Sequence, residues 1–320
     1  MDEREFVRFL KGRFPLRRVH GLGIGDDCSA IRQKDGSWQL VTNDILVEGV
    51  HFRREFFTYD QLALKALAVN VSDIAAMGGE PLHFYLGLGL PAAVPAADWR
   101  RFFLGLRRGC RRWRLDLAGG DFSRAPHIFI SITVVGRAQR PVWRSGARAG
   151  DWIGITGRTG ESAMGLRLLL RGERSGRFVR AHKAVRPELS AGRTLASFAS
   201  AMIDVSDGLL LDLQRVLEAS GRGGTVEYER VPVTPSLRRA CRSEGIDERE
   251  LVLAGGEDYV LLFTVSPGRE PALRSTGLQY HLIGRVESTS GLRVLQGGQR
   301  LRLRSLGYDH FRQPQKKGRP

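Results

Sequence analysis

Cysteine is scarce: Cys28, Cys110 and Cys241 are spread over 320 residues, with no CxxC and no Cys/His pair at metal spacing. That excludes a disulfide framework and an ordinary zinc site, and predicts reduced, partly buried thiols. Long apolar runs are also missing, since none reaches the roughly 18 residues that a membrane helix needs. The opening MDEREFVRFL is acidic and amphipathic, without the basic start and apolar core of a secretory signal, so the expected location is cytoplasmic. No GxxxxGKS/T is present, which excludes a P-loop enzyme, and GLGIGDD lacks the spacing and following helix of a dinucleotide fingerprint. HExxH and a nucleophile-elbow serine are absent as well.

What is present is charge. Fifty Lys and Arg against 34 Asp and Glu give +16 and a pI near 10.7. A nucleic-acid partner is one reading of that excess. Much of it, however, is arginine on a single predicted helix, DWRRFFLGLRRGCRRWRL, Asp98 to Leu115. There Trp99, Phe102, Leu106, Cys110 and Trp113 recur at helical spacing and the arginines fall between them, as on a solvated face over an apolar stripe. A basic field also concentrates anionic substrates such as nucleotides and phosphate esters. The tail RQPQKKGRP is expected to fray.

Length and a 42% hydrophobic composition allow about two domains with real cores. A helix at 3–12 precedes strands near 28–33 and 38–43. QLALKALAVNVSDIAAMGGEP reads as a mostly buried helix from Gln61 that carries Asn70 and Asp73 on one face. Strands at 83–90 and 128–136 flank the arginine-rich helix. The polar, turn-rich segment 137–151 marks a domain boundary. The expected division is an N-terminal nucleotide- and metal-binding domain at 1–138, a C-terminal domain at 149–312 and a basic tail at 313–320. In the second half, helices are expected near 161–171, 187–199, 207–220 and 235–244, and strands near 224–229, 258–265 and 281–286.

Acids recur on glycine- and serine-rich turns: GIGDD at 23–27, TND at 42–44, NVSD at 70–73, GGDFSR at 119–124, DVSDG at 204–208 and GGEDY at 255–259. A lone aspartate on such a turn bonds the turn's own amides, and Asp204 or Asp207 before GLLLDLQRVL has a helix cap as its plain alternative. Asp73 resists that account, because it interrupts an apolar helix where an unpaired carboxylate is unfavourable. Several separated acids suit several magnesium ions, each of which keeps its waters and takes only one or two carboxylates, as phosphoryl transfer requires. Asp27, Asp44, Asp73, Asp121 and Asp207 are the candidate ligands, with Asp26 and Asp204 additional or supporting. Thr42, Asn43, Ser72 and Ser206 stand ready to ligate or orient water. His51, Glu257, Lys65 and Arg144 are candidate contacts to substrate or phosphate, with packed or snorkelling roles as their alternatives.

With these residues assembled, the chain resembles the thiamine-monophosphate kinases of the aminoimidazole-ribonucleotide-synthetase-like ATP-binding superfamily. The resemblance runs over about residues 3–311 through GIGDDCSAI, TNDILVEGVHF, KALAVNVSDIAAMGGEP, GGDFSR, RSGARAGDWIGITG, DVSDGLLLDL, GGEDYVLLF and GYDHF. It implies an α/β chain of α+β type with two domains of mixed, helix-covered sheets, paired through their N-terminal domains in a homodimer. It implies ATP-dependent phosphorylation of thiamine monophosphate to thiamine diphosphate, in line and without a phosphoenzyme, with several Mg2+ ions. By position, Asp27, Thr42, Asn43, Asp44, Asp73, Asp121, Asp204 and Asp207 match magnesium positions. Gly120, Asp121, Arg144 and Ser206 match nucleotide contacts, and His51, Glu257 and Tyr308 match substrate contacts. GGDFSR stands where GGDTT is usual and TND where STD is usual, which removes hydroxyls at Phe122 and Asn43. Other ATP-dependent enzymes of the superfamily and a non-catalytic, nucleic-acid-binding relative are the competing readings.

Overall fold

The computed structural model describes residues 3–17 and 19–308, so the 313–320 tail and the end of GYDHF lie outside the described residues. The first half runs α1 (Glu3–Arg13), β1 (Gly21–Leu22), β2 (Ser29–Arg32), β3 (Trp38–Val47), α2 (Tyr59–Ala76), β4 (Glu80–Leu90), α3 (Ala96–Trp113), β5 (Asp116–Arg124) and β6 (Phe129–Ala138). Its six strands form one sheet in the order β1-β2-β3-β6-β4-β5, antiparallel except for the β4/β5 pair.

The second half runs β7 (Trp152–Ile155), α4 (Glu161–Leu170), α5 (Arg177–Lys183), α6 (Leu189–Leu195), β8 (Ala201–Asp204), α7 (Leu209–Ala219), β9 (Gly223–Glu227), α8 (Pro235–Ser243), α9 (Glu248–Ala254), β10 (Leu261–Val265), α10 (Glu270–Arg274), β11 (His281–Glu287), β12 (Gly291–Gln296) and β13 (Gln299–Arg300). Its seven strands order as β13-β12-β9-β11-β7-β10-β8, with only β12/β9 parallel. Two mixed sheets, each with helices, give the expected α+β architecture. Among the described residues no helix is long and apolar enough to cross a membrane.

Side-chain alternation explains how the first sheet is covered on one face. Phe84, Leu86 and Leu88 of β4 and Ile130, Ile132 and Val134 of β6 are buried against the helical side, where Phe102 and Leu106 of α3 join them. The arginines of α3 are exposed between those apolar positions, as the spacing predicts. Helix α2 differs in being buried nearly all round, because it lies between this sheet and elements of the second half, including α6 and β8. The segment between the sheets is tied to both sides: Val142 N donates to Met77 O at 3.2 Å, and Met202 N to Trp143 O at 3.1 Å.

Three expectations need correction. GGDFSR is not a turn but lies within β5, where Gly120 pairs with Leu86 and a Cβ would stand 2.1 Å from the Leu86 carbonyl oxygen. The glycines thus permit close strand approach rather than a reversal. The strand predicted from 258 begins only at Leu261, and residues 255–260 form an irregular loop with positive φ at Glu257 and Tyr259. Short elements were not foreseen: α5, α9, α10, β8, β12 and β13 span too few residues to show a clear period.

Gly192 of α6 meets α2 so closely that a Cβ there would lie 2.1 Å from the Ala75 carbonyl oxygen. Gly192→Ala should therefore lower the unfolding free energy by about 1–3 kcal/mol in urea titration, as overpacking does. An unchanged midpoint would mean that α6 is not held against α2.

Candidate active site

The site begins with alternation along β3. Thr42 and Asp44 point to the helical side, and α2 meets them with Asn70 and Asp73, one turn apart. Thr42 Oγ1 donates to Asp73 Oδ2, and the Asp44 backbone N–H donates to Asn70 Oδ1 at 2.9 Å. Asn70 spends its own N–H on the Ala66 carbonyl at 3.0 Å, which fixes the amide's orientation. The neighbouring residue on α2, Ser72, reaches the other half of the chain and donates to Asp204 Oδ2 at 2.5 Å, at the end of β8.

Three carboxylates converge here. One oxygen each from Asp27, Asp73 and Asp204 lie within 4.8 Å of one another. Burial pushes Asp73 well above the usual carboxylate range, and the charges of Asp44, Asp204 and Asp27 push further, against the Thr42 hydrogen bond. Burial and then Asp27 do the same to Asp204, while Asp44 is pushed up to about 6 by burial, Asp207 and Asp27. The protein therefore holds mutually repelling acids at the wall of a cleft, where burial weakens their screening by water.

Cations supply part of the compensation. Arg144 Nη2 donates to Asp27 Oδ1 at 2.7 Å. Asp26 accepts from the backbone N–H groups of Arg144 and Asp27, both at 3.0 Å, and so supports the loop rather than joining the cluster. Asp27 Oδ2 and Arg144 Nε are buried without a hydrogen-bond partner. An orphaned carboxylate oxygen within a group of hard oxygen donors fits a divalent cation such as Mg2+. Asp27, Asp73 and Asp204 could hold it, with Asp44 and Thr42 beside them.

The DVSDG turn follows β8. The capping alternative fails there, because the N-cap of α7 is Gly208, and Asp212 accepts from Asp207 N at 3.0 Å and Gly208 N at 3.1 Å. Asp207 instead pairs with Arg215 at 2.7 Å, and Arg215 also holds Asp212 at 2.6 Å. Sequence reasoning missed this Arg215–Asp212 support, although their i, i+3 spacing on one helix was visible.

A cleft of about 520 Å3 opens beside the acids. Asp44, Asp73, Ser206 and Asp207 line it together with His51, Glu257 and Tyr308. His51 Nδ1 accepts from Val47 N at 3.0 Å. Tyr308 is held by its backbone N–H on the Asp207 carbonyl at 2.9 Å. Glu257 meets buried Lys65 at 2.8 Å and His182 Nδ1 at 3.1 Å. Burial alone would raise the Glu257 carboxyl, but Lys65, His182 and His51 hold it below its ordinary value. Neither the snorkelling nor the phosphate-bonding expectation describes Lys65, which is turned inward. Asp258, next to Glu257, is structural and accepts from Gly160 N at 2.7 Å at the start of α4.

Two predicted ligands are not brought to the cluster within this chain. Asn43 alternates to the open face of the sheet, where its Nδ2 donates to Ser131 Oγ, Ile132 O and Thr133 Oγ1. Asp121 lies in the row Ile45–Ser131–Gly87–Asp121, three strand spacings or about 14 Å across the sheet from β3, and shares Gly87's open side. Gly120 precedes it on the same edge strand. Phe122 turns the other way, with its ring 6.2 Å from that of Phe103 on α3.

Comparison with known proteins matches residues 25–138 to the AIR synthase related protein N-terminal domain and residues 148–296 to its C-terminal domain. The thiamine-monophosphate kinase of Aquifex aeolicus is 34% identical over 90% of this chain and 92% of its own length, and that of Escherichia coli K12 is 35% identical over 92% and 93%. The chain belongs to the thiamine-monophosphate kinase family. The structure described as AaThiL complexed with AMPPCP and TMP superposes with a TM-score of 0.87 at 32% identity, covering 97% of both chains. The kinase family's two-domain arrangement is thus the one that joins β3, α2 and β8 at the acids.

The raised acids predict a pH-dependent stability. Asp44 moves from an ordinary 3.8 to about 6, so the fold favours its protonated form and loses stability as pH rises through that window. In EDTA, Asp44→Asn should exceed the parent by on the order of 2 kcal/mol at pH 8 and by almost nothing at pH 4. Saturating Mg2+ should shrink the difference at pH 8. An equal gain at both pH values in chemical denaturation would remove the electrostatic account.

Proposed function

We propose that this protein phosphorylates thiamine monophosphate to thiamine diphosphate with ATP as donor. The observation that carries the reading is the convergence of Asp27, Asp73 and Asp204 beside a cleft that His51, Glu257 and Tyr308 also line. The AMPPCP and TMP named for the superposing AaThiL structure support the reading, since a nucleotide and a thiamine phosphate are bound by that relative.

A phosphate oxygen of thiamine monophosphate attacks the γ-phosphorus in line, the bond from that phosphorus to the bridging oxygen of ADP breaks, and ADP leaves with the electron pair. The acceptor oxygen is already ionised at neutral pH, so no side-chain base is required, and positioning carries the reaction. Several Mg2+ ions, held by Asp27, Asp44, Asp73, Asp204 and Asp207, would neutralise the phosphate oxygens of both anions. Thr42, Ser72 and Arg144 orient these carboxylates, while Ser206 and Arg144 face the nucleotide. Asn43, turned to the open face, takes no part in holding these ions within its own chain.

The reading includes a homodimer in the cytoplasm. Ile45, Tyr85 and Phe129 are exposed on the open face of the first sheet, and Asp121 shares that face. Asp121 and Gly120 then serve the nucleotide of the partner protomer, which accounts for an acid placed away from its own cluster.

Incubation with ATP, Mg2+ and thiamine monophosphate should yield thiamine diphosphate by mass spectrometry, with none in EDTA or from free thiamine; metal-independent product would contradict the reading. Asp73→Asn and Asp121→Asn should each reduce kcat at least about 100-fold with the fold retained, the scale of losing an electrostatic contact to the transition state. Mixing the two variants should restore part of the activity, and no recovery after subunit exchange would place Asp121 outside the partner's site.

A further inference from the structure

Lys65 is 1% exposed, yet its side chain ends directly beneath the cleft. All of its bonding is internal: the ammonium meets Glu257 Oε1 at 2.8 Å, donates to the His182 carbonyl at 3.2 Å, and sits 5.3 Å from the centre of the Phe57 ring. A buried ammonium engaged in this way cannot reach a phosphate without abandoning its partner charge. Glu257 is 30% exposed on the cleft side, and its second oxygen lies 3.1 Å from His182 Nδ1. Burial and the Lys65 charge press His182 down to about 4, so the imidazole is neutral, and its Nδ1 also lies 3.2 Å from Ser162 Oγ.

The backbone makes the same choice. Glu257 and Tyr259 both occupy the left-handed region, at φ 64 and 54, which non-glycine residues rarely adopt. Hydrogen bonds from Glu257 N to Ser206 O at 2.7 Å and from Tyr259 N to Val205 O at 2.8 Å hold that conformation. The carboxylate is therefore fixed from below by charge and from behind by the chain.

We propose that Lys65 is a positioning residue that holds Glu257 in the cleft as an acceptor-only carboxylate, so that the site takes a ring with an exocyclic amino group and rejects the same ring bearing oxygen there. The inference rests on the functional reading above and names how that site chooses its ring. An ionised carboxylate has lone pairs and no N–H, so it bonds an amino group and repels a carbonyl oxygen. A fixed, charged acceptor discriminates strongly, because the wrong ligand sets a carbonyl oxygen against the carboxylate that the right one bonds. Thiamine's aminopyrimidine carries such an amino group.

The test compares thiamine monophosphate with its oxo analogue, in which oxygen replaces the ring amino group. The parent protein should favour the amino compound by on the order of 100-fold or more in kcat/KM. Lys65→Met should raise KM for thiamine monophosphate about 10-fold, leave kcat and the KM for ATP within about 3-fold, and shrink the amino/oxo preference. It should weaken calorimetric binding of unphosphorylated thiamine to the same degree. Lys65→Met/Glu257→Gln, a neutral pair, should recover the thermal midpoint without recovering KM. Recovery of KM together with the midpoint would make the role structural, and a loss confined to phosphorylated ligands would make Lys65 a phosphate contact; either overturns the inference. Parent turnover with an unchanged preference in Lys65→Met overturns it while the functional reading stands, whereas failure of the parent to form thiamine diphosphate removes both.

Discussion

Everything at the site depends on one buried helix lying between two sheets. From α2, Asn70 and Asp73 engage β3 in the first half, Ser72 engages Asp204 in the second, and Lys65 engages Glu257. An ordinary amphipathic helix has one polar face for water; here water is excluded almost all round, and the buried polar side chains Lys65, Asn70 and Ser72, with Asp73, find partners outside the helix. The helix's position thus fixes both the acids and the cleft that adjoins them. That is why a glycine at the α6 contact, distant in sequence from any candidate ligand, belongs to the same constraint.

The second governing feature is an imbalance of charge at a partly buried place. Asp27, Asp44, Asp73 and Asp204 repel one another, and Arg144 offsets only part of that repulsion. A cation bound among them would return the free energy that this repulsion withholds. The basic excess over the rest of the chain is of the sign that concentrates anions at longer range, opposite to the field of the acids themselves. On α3 the arginines sit as the helical spacing requires, with the apolar stripe buried beneath them.

The fold class and most of the acids were legible because they rest on local signals: alternation in β3 and β6, a mostly apolar helix, and short motifs with acids at set spacing. Asp73 was the clearest case, since an acid inside an apolar helix has few structural explanations. The alternation that identifies β3 also separates Asn43 from Thr42 and Asp44, a consequence already present in the TND order. Asp121 misled because Gly-Gly resembles a turn, whereas the decisive fact was strand pairing with Leu86 and Gly87, a long-range contact. The pairing of Lys65 and His182 with Glu257 was illegible for the same reason: Glu257 lies far along the chain, and α5 is too short to announce itself.

Both halves of one chain meet on α2 at the acids beside the cleft, a junction that the proposed reaction requires to be a single metal and phosphate site with a place for the ring. A crystal structure with AMPPCP, thiamine monophosphate and Mn2+, collected at the manganese edge, tests it most directly. The account predicts anomalous peaks bounded by Asp27, Asp73 and Asp204 and the aminopyrimidine at hydrogen-bond distance from Glu257. Manganese bound elsewhere, or a thiamine ring outside the His51–Glu257–Tyr308 cleft, would contradict it.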